Sequence, residues 1–95
     1  ASQALAESMF EEESVLEDRI KTGYFRVMGK EIEAKKLALL VQLYNETYQY
    51  FVENKGSNEF PEVALKKKGE DRLKLSALTV VANTLLNLDE FIVKG

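Results

Sequence analysis

Apolar residues recur along this chain every three or four positions, and alternation with period two is scarce. That spacing predicts helices almost throughout. A first segment over 2–12 carries Ala4, Leu5, Ala6, Met9 and Phe10 and reads as a short helix. A second opens at Ser14-Val15-Leu16-Glu17, the pattern of a capping box with Ser14 as N-cap and Glu17 reaching back. Leu16, Ile20, Gly23, Tyr24 and Val27 then share one face, and Gly29 is a natural stop. Gly23 lies inside that apolar face. A glycine within a helix costs about 1 kcal/mol against alanine. Close approach of another helix would offset the cost; a tolerated flaw is the alternative.

A third helix is expected over 33–53. Its main stripe is Leu37, Leu40, Val41, Tyr44, Tyr48, Phe51 and Val52, with a second stripe of Leu39, Leu43 and Tyr50 on the opposite side. Apolar residues on two sides predict burial on two sides. Asn54-Lys55-Gly56-Ser57-Asn58 is the clearest loop. A short helix over 59–68 follows, with Pro61 tolerated in its first turn and Gly69 closing it.

The last helix is expected over 71–92. Leu75, Leu78, Val81, Ala82, Leu85, Leu88 and Ile92 form its stripe. Leu73, Val80 and Phe91 make a second patch, and Ser76, Asn83, Asn87 and Lys94 a narrow polar strip. Asp89 falls inside the main stripe, between Leu78, Ala82 and Leu85. A helix of this kind is ordinarily buried in a body larger than 95 residues. Together with a first residue that is Ala1 rather than Met, it points to a C-terminal piece of a longer protein. The fold class expected is all-α: a single helical domain over 1–95, four main helices plus one short one.

Composition narrows the chemistry. The chain is 45% hydrophobic and 31% charged, in the range of globular proteins. A net charge of -3 argues against nucleic acid, which needs a basic face. No apolar run approaches the ~18 residues of a membrane span. Cys and His are both absent. That removes thiolate nucleophiles, His-based triads, structural zinc sites and c-type haem attachment. Chemistry could rest only on carboxylates, Lys, Tyr, Ser or Thr.

Four constellations deserve weighing. Glu11-Glu12-Glu13 with Glu17 and Asp18 lacks the glycine-containing spacing of a calcium loop and reads as a solvated junction, with no metal site. Lys66-Lys67-Lys68 suits a helix C-terminus and has no second basic cluster beside it. Tyr44, Tyr48 and Phe51 sit at core spacing, which leaves Tyr50 as the aromatic contact candidate. Asp89 requires a partner if buried. Arg19 and Arg26 flank the Gly23 face and are candidates, as are N–H groups at a helix start.

Three stretches carry a resemblance. They are Asp18 to Lys30 ("DRIKTGYFRVMGK"), Leu40 to Phe51 ("LVQLYNETYQYF") and the ending "ALTVVANTLLNLDEF". In this order and spacing they resemble the C-terminal portion of large planctomycete proteins with cytochrome-c domains. That portion is a domain of unknown function, numbered fifteen fifty-three. Arg19, Ile20, Tyr24, Gly29 and Lys30 correspond to its first block, with Lys for the usual Arg; Asn87, Leu88, Asp89, Glu90 and Phe91 correspond to its last. Glu31-Ile32-Glu33-Ala34 departs from its Pro- and Ser/Thr-containing helix start. The resemblance implies an exported bacterial multidomain parent, periplasmic or extracellular, of a kind that often has a haem domain elsewhere; haem-binding residues are absent from this chain, and no cofactor is expected in it. It carries over no catalytic residue.

The residues therefore point to a non-catalytic module for packing or partner contact. Leu39, Leu43, Tyr50, Val80 and Phe91 are its contact-surface candidates, against the rest of the parent or a second copy. The runner-up is an accessory part of a carbohydrate-binding or carbohydrate-degrading protein, using Tyr50 or Asp89.

Overall fold

The computed structural model describes the backbone of residues 1–56 and 59–94, and the side chains of 1–56 and 59–88. It is all-α, with no strand among the described residues. The helices are α1 (Ser2–Glu12), α2 (Leu16–Met28), α3 (Ala34–Glu53), α4 (Glu62–Leu65) and α5 (Glu70–Lys94). Together they form a body of 40 × 24 × 22 Å.

The last helix is the axis of the fold. It touches each of the other four, and α1 and α3 flank it most extensively. Leu75, Leu78, Val81, Ala82 and Leu85 are fully buried, as the stripe predicts. Burial extends further round the helix than that stripe. Leu73, Ser76, Ala77 and Thr79 are buried too. Ser76 belongs to the narrow polar strip, and the reason it can go inside is local. Its hydroxyl donates to the Arg72 carbonyl at 2.7 Å, and Thr79 does the same to Leu75 at 2.8 Å. Each polar group is satisfied within its own helix, so burial costs little. Among the described residues no buried side-chain polar atom lacks a partner. Over 73–85 most of the helix is thus covered by this chain's own helices, with Asn83 exposed and Lys74, Val80 and Thr84 partly so. Leu88, expected in the stripe, is 37% exposed.

Gly23 owes its place to α1. A Cβ built there would stand 2.6 Å from the Met9 sulfur, and Met9 is itself fully buried. Of the two readings of that glycine, close approach and a tolerated flaw, the first is what is found. Gly29 and Gly69 mark the helix breaks, with φ of 74° and 59°. Only glycine adopts that region without strain.

Two helix ends differ from expectation. Ser14 does not cap α2: the N-cap is Val15, with no side-chain cap hydrogen bond. Instead Arg19 donates to the Glu13 carbonyl at 2.7 Å and the Phe10 carbonyl at 3.1 Å. This fork closes the C-terminus of α1 and fixes the linker, so α2 starts beyond the serine. The short helix is only Glu62–Leu65, not 59–68, and Pro61 precedes it as N-cap. Arg72 explains the early stop by holding the carbonyls of Leu65 and Lys67 at 3.0 and 2.9 Å.

Candidate contact surface

Each α3 stripe meets a different fate. Leu40, Tyr44 and Phe51 are buried against the body, with Leu37, Val41 and Tyr48 partly so. Burial and the neighbouring Tyr48 push the Tyr44 hydroxyl up to about 12, while Arg19 pulls the other way. The second stripe, named from the sequence as a contact surface, faces solvent: Leu39 is 60% exposed and Tyr50 44%. Leu43 lies at the edge, half-buried against the core.

Polar residues frame the outward face by sign. Lys35 and Lys36 stand at its N-terminal end, and Glu46 and Glu53 further along. Lys36 is tied to Glu33 at 3.4 Å and its ammonium lies over the Tyr24 ring. The Tyr24 hydroxyl, and after it Glu33, hold its pKa above the ordinary lysine value. Gln42 and Gln49 donate to Glu46 and Glu53 at 3.2 and 3.1 Å. The Tyr50 hydroxyl bonds Glu59, and its ring meets Phe51 edge-on. That carboxylate holds the Tyr50 hydroxyl above its usual range. With its hydroxyl engaged and one edge against Phe51, Tyr50 offers an apolar flank rather than an open stacking platform.

A shallow groove of about 870 Å³ runs along the outer side of α2, lined by Lys21, Thr22, Phe25, Arg26, Gly29, Glu31 and Ile32. Phe25 is 56% exposed there. Arg26 is already engaged with Glu12 at 2.8 Å and with Ser8. The Ser8 hydroxyl first, then Arg26, hold the Glu12 carboxyl below its usual range.

The arginines proposed as partners of Asp89 are both engaged on α1: Arg19 on its carbonyls and Arg26 on Glu12. The side chains of Asp89 and Phe91 lie outside the described residues. Val80 is half-buried on α5. The acidic junction is more engaged than a solvated run. Glu11 pairs with Lys67 at 3.2 Å, and the Thr22 hydroxyl donates to Glu13 at 3.2 Å. Phe10 is flanked by Arg19 at 4.3 Å and Lys67 at 5.4 Å from its ring centre. These ties had no signal in spacing, because their partners lie far apart along the chain. Among the described residues no group of three acidic side chains is placed to hold a metal ion. No described helix is long and apolar enough to cross a membrane.

Comparison with family models, with curated proteins and with solved structures gives no match.

Proposed function

We propose that this chain is a non-catalytic helical contact module of a larger exported bacterial protein, and that it works by presenting the outward face of α3. The observation that carries the reading is the split between its two apolar stripes. One is buried; the other, at Leu39 and Tyr50, is more than 40% exposed although nothing in the fold requires an apolar residue there. Isolated surface leucines are ordinary. Leu39, Leu43 and Tyr50 are aligned on one helix face, and aligned apolar side chains mark contact surfaces. The exported, bacterial origin rests on the resemblance of its three sequence blocks.

The test separates contact from folding and from catalysis. Leu39→Ser should leave the unfolding free energy within ~0.5 kcal/mol, as an exposed site does, whereas Leu78→Ala should cost ~2–5 kcal/mol. No turnover of chromogenic glycosides, esters or phosphate esters is expected. A large loss of stability from Leu39→Ser would assign that face to the fold. Turnover abolished by a single carboxylate substitution would replace the reading with an enzyme.

A further inference from the structure

We infer that the outward face of α3 is where two copies of this chain meet, antiparallel, about a two-fold axis crossing the helix near its middle. The inference rests on the contact-module reading and names its partner.

Spacing is the first support. Leu39, Leu43, Glu46, Tyr50 and Glu53 follow one another by steps of three and four. Such a seam repeats every seven residues and is what a second helix packs against at a shallow angle. The main stripe cannot serve, being buried in the body.

Charge decides the orientation. The seam is basic at its N-terminal end, at the exposed Lys35, and acidic towards its C-terminal end, at Glu46 and Glu53. In a parallel pair the seam residues meet their own copies. Lys35 would face Lys35, Glu46 would face Glu46, and like charges placed directly together repel. Turned antiparallel, Lys35 of one copy meets Glu53 of the other and Leu39 meets Tyr50. Leu43 then lies against the aliphatic stem of Glu46. Every such contact occurs twice, as an isologous interface requires.

Size sets the strength. A helix of 20 residues is about 30 Å long, and one face of it covers on the order of 300 Å² per copy. That is well under the ~800 Å² per partner of a standard interface, so the pairing is a weak, reversible one.

The chain has no cysteine, so introduced thiols report position cleanly. Lys35→Cys and Glu53→Cys variants are mixed under mild oxidation at high protein concentration. The mixture should form the inter-chain disulfide at least several-fold faster than either variant alone. Adding Leu39→Glu to both should bring the rate down to that of a control pair using Ala4→Cys on α1. If each variant couples with itself as fast as with the other, the antiparallel arrangement is wrong. If the mixture never exceeds the Ala4→Cys control, α3 is not the meeting face. Neither result touches the contact-module reading, which stands or falls on stability and turnover.

Discussion

At the scale of single residues, the clearest exchange of local against tertiary preference is at Gly23. Its helix would gain about 1 kcal/mol from alanine. The methyl group would meet the buried Met9 side chain, and overpacking a core costs about 1–3 kcal/mol. Gly23→Ala should therefore be neutral to destabilising by up to ~2 kcal/mol in the natural chain. With Met9→Ala the space opens, and the same change should stabilise by about 1 kcal/mol relative to that single variant. Denaturant unfolding of the four chains closes the cycle. Equal effects in both backgrounds would show that the two side chains do not compete for space. At Gly23 the pattern left close approach and a tolerated flaw both open, because spacing within one helix does not place the Met9 side chain of another. Ser76 was misleading for a local reason. A serine reads as solvent-facing in a pattern, yet a bond to the carbonyl four residues back makes it fit for a core.

At the scale of elements, what the sequence could not reveal is where helices stop through tertiary contact. The breaks at Gly29 and Gly69 follow from backbone preference and were readable. The ends of α1 and α4 follow from arginines six to nine and five to seven residues further along, which fork onto two carbonyls each. A capping box at Ser14 competes with the Arg19 fork for the same linker, and the fork prevails. Arg19 also lies against the Phe10 ring, so its stem and plane both pack. Lysine at that position keeps the charge but cannot span two acceptors in one plane. Arg19→Lys should cost about 1–3 kcal/mol in unfolding free energy, the range for leaving a part-buried acceptor unsatisfied. A fully stable lysine variant would show that charge alone closes the end of α1.

At the scale of the whole molecule, the periodicity of α3 and α5 located the core but not which apolar patches would be covered. The sequence places two stripes on each of these helices. For α5 the second patch goes inside at Leu73, because four helices surround it. For α3 it stays outside at Leu39 and Tyr50. Nothing in either pattern distinguishes the two cases, since the difference lies in where the other helices run. The outcome is a core packed around the first half of α5, with an apolar, charge-graded face on α3. Sedimentation equilibrium from micromolar to millimolar concentration, on the natural chain and on Leu39→Glu, tests that division directly. The natural chain should rise from monomer towards dimer mass, while Leu39→Glu stays monomeric at the same melting temperature. Identical masses for both chains at every concentration would contradict it.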